Sequence, residues 1–210
     1  PAVAASCWET FLRVTGVVAD EYTFVEPSVG DGSFLRCLPA GSIGLDIEPR
    51  CHGAFTQDYL TWTPPEGPKY AVLGNPPFGL RGHLALQFIN HSSSFADYVA
   101  FILPQLFESD GKGSPRKRVV GYNLIHSEKI TTQFHTPENT NVDVNVVFQV
   151  WSKHTANDEY QLEEFDRSRM NVYSLSDGGT IATTRNKDML DKCDIYLPST
   201  CFGEDTMRVY

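Results

Sequence analysis

The sequence lacks three features that would each indicate a particular class of protein. No apolar run approaches the length of a membrane span, and no secretory signal is visible near the N-terminus. The five cysteines are scattered and include no Cys-x-x-Cys pair, so a structural zinc site is not expected. We therefore predict a protein of the reducing cytoplasmic compartment, without membrane contact and without a bound metal ion.

Positive charge is also scarce, since 17 Lys and Arg residues stand against 26 Asp and Glu residues and the formal net charge is −9. This balance is unusual for a nucleic-acid enzyme, because neutralisation of phosphates normally supplies much of the affinity. One basic segment follows a predicted strand, and its cations are Lys112, Arg116, Lys117 and Arg118. It is either a solvated loop or a phosphate contact beside an active site.

The length of 210 residues and the hydrophobic fraction of 41% predict one domain with a small appendage. Short apolar runs predict strands at Tyr22–Glu26, Ser42–Ile47, Tyr70–Gly74, Asp97–Pro104, Asn123–Ile130 and Val142–Trp151. Helices are predicted at Cys7–Val14, Ser33–Leu38 and His83–Ser93. Strands that alternate with helices are typical of an α/β fold.

A glycine-rich turn follows the first predicted strand, which ends in the acid Glu26. Its next residues include Pro27, Ser28, Gly30 and Gly32. Glycines permit a close backbone approach, and such a turn presents free N–H groups. An acid at the end of the strand argues against a phosphate cradle and favours a cationic or hydroxyl-bearing ligand.

Two further acids stand where later hydrophobic segments end. Asp46 precedes Ile47 at the end of the second strand, and Asp58 precedes Tyr59 after another short apolar step. In a doubly wound sheet, the carboxyl ends of the strands meet at one crevice. An ordered set of acids at these ends therefore predicts a ligand site, whereas each acid alone would be a solvated strand-end residue.

A proline-rich tetrapeptide follows the strand Tyr70–Gly74, with the residues Asn75, Pro76, Pro77 and Phe78. The two prolines fix φ and remove two N–H donors, so the backbone is stiff. The resulting platform carries an amide, bare carbonyls and an aromatic face. Those groups suit a planar amine, because carbonyls accept its N–H bonds and a ring stacks on it. A stiffened loop without a ligand is the other interpretation.

The order of these motifs resembles that of the S-adenosylmethionine-dependent amino-methyltransferases of the adenine-N6 type, in the gamma-like order with the cofactor motif first. The resemblance covers about residues 20–150. It implies a doubly wound, Rossmann-like sheet of seven strands whose last strand is antiparallel. It also implies a catalytic domain at 1–153 and an appendage at 154–210 that is a rudimentary or truncated recognition region.

The resemblance assigns roles to the motif residues. It implies S-adenosyl-L-methionine as cofactor, bound by Glu26, Pro27, Ser28, Gly30, Gly32, Asp46, Ile47, Asp58, Tyr59 and Asn75. Its catalytic residues would be Asn75, Pro76, Pro77 and Phe78. Nucleic acid would contact the four cations named above, and also Phe134 and His135, whose loop lies near the target base in the family.

The resemblance implies methyl transfer to the exocyclic N6 amine of adenine in DNA, as in restriction-modification. An RNA adenine-N6 or guanine-N2 methyltransferase is the alternative within enzymes. A catalytically idle subunit that binds nucleic acid or a partner is the alternative of another class. A partner subunit that supplies recognition would reconcile the acidic charge with a polyanionic substrate.

Overall fold

A seven-stranded sheet forms the centre of the computed structural model, which describes residues 2–109, 113–130, 133–135, 141–143 and 145–161, the two short segments by their backbone only. The strands are β1 (Tyr22–Glu26), β2 (Ile43–Asp46), β3 (Ala54–Thr56), β4 (Lys69–Gly74), β5 (Ala96–Pro104), β6 (Asn123–Ile130), β7 (Gln133–His135), β8 (Asn141–Asp143) and β9 (Val146–Ser152). The helices are α1 (Ala2–Thr15) and α2 (His83–Ser92).

The strand order in the sheet is β3-β2-β1-β4-β5-β9-β6, while β7 and β8 form a separate two-stranded pair. The first five strands of that order run parallel. β9 is the last strand along the described part of the chain, and it lies antiparallel to both of its neighbours, β5 and β6. The predicted fold class, a seven-stranded α/β sheet with its last strand antiparallel, is therefore confirmed.

The two helices cover opposite faces of this sheet. Successive residues of a strand point to opposite faces, and along β4 Tyr70 and Val72 join the apolar cluster that contains α2. Their neighbours Ala71 and Leu73 join the cluster that contains α1. Both faces of the central strand are thus covered, which explains why its sequence is a continuous apolar run. Neither helix of the described residues is long and apolar enough to cross a membrane.

Two predicted elements differ from the structure. The helix predicted at Ser33–Leu38 is only a 3-10 turn at Leu35–Cys37. Pro39 restricts Leu38 to extended backbone, which is what the structure has there, and too few residues remain for a stable α-helix. The strand predicted at Val142–Trp151 is described as two pieces, because Asn145 lies between them and its carbonyl accepts the Gln105 N–H at 3.1 Å.

Residues that follow β9 pack back onto the sheet. The Asn157 side chain donates from Nδ2 to the carbonyl of Ile125 at 3.2 Å, and Tyr160 lies against the cluster that contains α2. Residues 162–210, most of the predicted appendage, lie outside the described residues. The division into domains 1–153 and 154–210 therefore stays a prediction.

Candidate active site at the carboxyl ends of the strands

Three predicted site segments meet at one edge of the sheet. β1 pairs in parallel with both β2 and β4, so Glu26, Asp46 and Asn75 all lie where their strands end. The loops that follow are also bonded directly, since the Ser28 hydroxyl donates to the backbone carbonyl of Asn75 at 3.0 Å. The structure thus brings together the glycine-rich turn, the second acid and the proline-rich tetrapeptide.

Asp46 fixes the glycine-rich turn to the end of β2. Its Oδ2 accepts the Gly30 N–H at 2.8 Å, and its Oδ1 accepts the Glu48 N–H at the same distance. The turn is also tightly packed at Gly32, where a Cβ atom would lie 2.9 Å from Cys51 Sγ. Each carboxylate oxygen has a second lone pair, so Asp46 retains capacity for hydroxyl donors.

Glu26 is the most unusual group of the site, because its side chain is only 2% exposed. Its Oε2 has no hydrogen-bond partner among the residues that the structure describes. Burial raises the pKa of Glu26 to about 8, although a backbone hydrogen bond from Leu35 acts in the opposite direction. An unpaired buried carboxylate is costly, so this atom is best explained by a cationic or hydrogen-bonding ligand.

The remaining predicted cofactor residues occupy different environments. Ile47 is 74% exposed, which leaves an apolar surface directly beside Asp46. Asp58 caps a 3-10 turn, since its Oδ1 accepts the Leu60 N–H at 2.9 Å. Tyr59 is fully buried instead, and its hydroxyl hydrogen-bonds to Ser92 Oγ at 2.5 Å. The Tyr59 side chain is thus part of the core, and only its backbone is left for a ligand.

The tetrapeptide forms a fixed platform at this edge. Asn75 is exposed, Pro76 is buried, and the Phe78 ring is half-buried against the cluster that contains α1. The Phe78 carbonyl accepts the N–H groups of Leu84 and Ala85 at 3.2 and 3.4 Å. These bonds tie the platform to the first turn of α2 and leave the Asn75 amide at the surface.

The basic segment begins beside the carboxyl end of β5, where the Ser114 hydroxyl donates to the carbonyl of Leu106 at 3.5 Å, and its cations follow along α2. The carbonyl of Arg118 accepts Asn90 Nδ2 at 3.1 Å, near the end of α2, and β6 begins shortly afterwards. Because β6 runs parallel to β4, its first residue is at the edge opposite Asn75. The Arg116 guanidinium donates to the carbonyl of Tyr160. The contacts of Arg116 and Arg118 thus lie away from the tetrapeptide, whereas the sequence-based interpretation had these cations beside it.

Three predicted nucleic-acid residues are less fully described. Lys112 lies outside the described residues. Phe134 and His135 belong to β7, which follows the carboxyl end of β6, and that end is at the edge of Asn75. Their role at a target base stays a prediction.

Two residues of the loop after the tetrapeptide are absent from the sequence-based prediction. Leu80 is 85% exposed, and Arg81 has φ 51° and ψ 35°. The only signal in the sequence was their position between Gly79 and Gly82. That signal shows neither exposure nor backbone conformation.

No protein-family model matches the chain, and no curated protein matches it. Solved structures do resemble it. A candidate RNA methyltransferase from Pyrococcus horikoshii is 16% identical, with a TM-score of 0.54 over 72% of this chain and 84% of that chain. The 23S rRNA methyltransferase ErmE is 14% identical, with a TM-score of 0.50 over 74% of this chain and 68% of that chain.

A third similar structure is the modification subunit of a candidate type I restriction enzyme from Vibrio vulnificus. It is 12% identical, with a TM-score of 0.50 over 73% of this chain and 44% of that chain. At such low identities the three likenesses establish the fold alone. The chain has the fold of RNA and DNA methyltransferases.

Glu26→Gln should stabilise the ligand-free protein at high pH. The pKa of Glu26 is raised from an ordinary value of 4.5 to about 8, so between these pH values the unfolded wild type releases a proton that the folded protein keeps. Stability is lost as pH rises through this window. The variant lacks that loss, so its free energy of unfolding should exceed the wild-type value by up to about 5 kcal/mol above pH 8.

Urea unfolding at pH 4.5 and pH 8.5 measures this difference. Glu66→Gln, at an exposed carboxylate, is the matched control and should leave the wild-type pH profile unchanged. If the free energies of unfolding of Glu26→Gln and wild type differed by the same amount at both pH values, the raised pKa of a buried Glu26 would be contradicted.

Proposed function

We propose that the protein transfers a methyl group from S-adenosyl-L-methionine to the exocyclic N6 amine of adenine in nucleic acid, with DNA as the preferred acceptor. One observation carries this proposal. The 3.0 Å hydrogen bond from Ser28 to the carbonyl of Asn75 joins the glycine-rich turn to the Asn-Pro-Pro-Phe platform. A donor held by the first would therefore lie against an amine held by the second. The methyltransferase fold supports the same reaction class.

The side chains around the glycine-rich turn fit this cofactor. Glu26 Oε2 has no hydrogen-bond partner among the described residues, so it suits a group that donates hydrogen bonds and carries positive charge, as the cofactor's ammonium does. Asp46 has free lone pairs for the ribose hydroxyls, and the exposed Ile47 offers an apolar surface to the adenine ring. Asp58 accepts one backbone N–H through Oδ1, and its remaining lone pairs would accept from the adenine amino group. When bound, the cofactor would supply a methyl group activated by its sulfonium, whose sulfur would keep the electron pair of the broken C–S bond and leave as a thioether.

The platform would orient the acceptor amine. Asn75 Oδ1 and the carbonyl of Pro76 accept its two N–H bonds, which favours a tetrahedral nitrogen with its lone pair directed at the donor. Positioning of this kind supplies most of the catalysis. A strong general base is unnecessary, because the nitrogen becomes acidic only after it gains the methyl group. The exposed part of the Phe78 ring stacks on the base once the nucleotide has left the helix.

Two other functions use the same residues. An RNA adenine-N6 or guanine-N2 methyltransferase would present a similar exocyclic amine, and two of the similar structures are described as RNA methyltransferases. A catalytically idle subunit would bind nucleic acid or a partner without transfer. Incubation of the chain with labelled cofactor and pools of DNA, RNA and protein, followed by nucleoside analysis, separates the three.

Asp46→Ala should weaken cofactor binding by about 1–3 kcal/mol, because hydroxyl groups of the ligand lose their acceptor and Gly30 loses its anchor. Isothermal titration calorimetry measures the change. Asp20→Ala is the control, since Asp20 is exposed and precedes β1 at the opposite edge of the sheet. Absence of a binding heat for the folded wild type, confirmed by an unchanged melting temperature with cofactor, would contradict the proposed function.

Asn75→Ala should abolish methyl transfer while cofactor affinity stays close to the wild-type value, because its amide is assigned to the acceptor amine. Transfer of labelled methyl groups and calorimetry measure the two effects separately. Asn123→Ala, at an exposed asparagine of the opposite sheet edge, is the matched control. Equal losses of transfer and cofactor affinity would show that the Asn75 amide contacts the cofactor rather than the acceptor amine.

Lys117 and Arg118 are proposed to contact phosphates of an acceptor long enough to extend past α2. Replacing both with Ala should lower the slope of log affinity against log salt by up to about two units for a long duplex. The effect should be the same for every sequence and absent for a short oligonucleotide, because these two cations lie away from Asn75. Arg116 is left intact because it holds the carbonyl of Tyr160. Equal slopes for both proteins on the long duplex would exclude this contact.

A further inference from the structure

The loop between the platform and α2 presents an apolar side chain and a cation to solvent. We call Leu80 and Arg81 the tip of this loop. Leu80 is 85% exposed, more than the other large apolar side chains found exposed in the described residues. The Arg81 guanidinium makes no hydrogen bond or ion pair with any residue that the structure describes. Contacts with the described residues therefore do not explain the tip.

Both ends of the loop are packed so closely that the tip is held outward. At Gly79, with φ 66°, a Cβ atom would lie 2.7 Å from Leu84 Cβ. At Gly82, with φ 71°, it would lie 2.9 Å from the Phe107 ring. The Phe78 carbonyl is also bonded to the first turn of α2, directly before the loop. The tip therefore has a defined position at the edge where Asn75 lies.

Arg81 has a left-handed backbone that glycine would adopt without strain. Among the described residues it is the one non-glycine residue with positive φ, at 51°. Such conformations are strained and are concentrated at ligand-binding and active sites. Because glycine would avoid this strain, the arginine at position 81 points to a role for its side chain in binding. In a chain of net charge −9, a cation beside the acceptor site suits a phosphate.

We propose that the tip binds the acceptor duplex at the target nucleotide. Leu80 enters the base stack where the extruded nucleotide leaves a gap, and Arg81 contacts a flanking phosphate. Apolar side chains inserted between base steps and arginines at phosphates are general devices of nucleic-acid binding. This inference rests on the proposed function, because extrusion of a base is required only where chemistry occurs on that base.

The test uses Leu80→Ala and Arg81→Gly on a duplex of the nucleic acid that the wild type methylates. Leu80→Ala should lose transfer to the paired target base but keep it when the target lies opposite an abasic site, because extrusion from that site needs no wedge. With 2-aminopurine at the target, the fluorescence increase on binding should be smaller than for wild type. Val120→Ala, at a residue 63% exposed elsewhere, is the matched control.

Arg81→Gly should lower the slope of log affinity against log salt by about one unit. Its melting temperature should equal or exceed the wild-type value, because glycine relieves the strained backbone. Arg13→Ala, at an exposed arginine of α1, is the control for loss of a charge and should leave the slope unchanged.

The outcomes separate this inference from the proposed function. Wild-type protein that methylates no nucleic acid would overturn the proposed function. Normal transfer, fluorescence and salt slope in both tip variants, with an active wild type, would overturn only the role of the tip. Equal loss of transfer on paired and abasic substrates by Leu80→Ala would also overturn the wedge.

Discussion

The parallel pairing of β1 with β2 and β4 is the constraint on which the candidate site depends. Strands that run parallel bring their carboxyl ends to one edge, and the residues that follow must turn there. Glu26, Asp46 and Asn75 are far apart in sequence, yet each stands at such an end. The hydrogen bond from Ser28 to Asn75 then fixes two of the turns against each other. Any ligand at this edge meets all three segments.

A buried acid at the same edge of the sheet carries a desolvation cost. Glu26 follows four strand residues, and the last two of them, Phe24 and Val25, are fully buried, so its carboxylate lies where a charge is poorly solvated. Asp46, by contrast, is compensated by two backbone N–H groups. Two acids at neighbouring strand ends thus differ in kind. Asp46 shapes the turn, whereas Glu26 Oε2 has no hydrogen-bond partner among the described residues, and perturbed groups of this kind are concentrated at functional sites.

Recognition of a polyanion by an acidic chain requires that its few cations lie in the right places. The cations of the densest basic segment follow α2 toward the edge opposite Asn75, and one of its arginines is used to hold the chain after β9. Arg81 is a single cation, but a rigid loop holds it at the edge of the candidate site. Position relative to the site, rather than local charge density, therefore decides which cations are relevant to an acceptor.

The sequence by itself determined the strands and the chemical nature of the site. Continuous apolar runs predicted β4 and β5 closely, runs rich in β-forming residues predicted β1 and β6, and the residue types after β1 and β4 predicted a crevice with acids and a stiff amide platform. These features are local, because burial on both faces of a strand and the restricted φ of proline are encoded in neighbouring residues. The 3-10 turn at Leu35–Cys37 was predicted as an α-helix, because the apolar pattern does not include the restriction that Pro39 places on the residue before it.

Only the tertiary structure decided which residues face a ligand. The sequence predicted Tyr59 as a site residue, but its side chain packs on α2. Leu80 and Arg81 belong to no motif, yet they are exposed beside the platform. The burial of Glu26 and the position of the basic segment also depend on neighbours distant in sequence. Exposure, desolvation and distance from a site arise from packing between elements, and a pattern of residue types along one chain does not contain them.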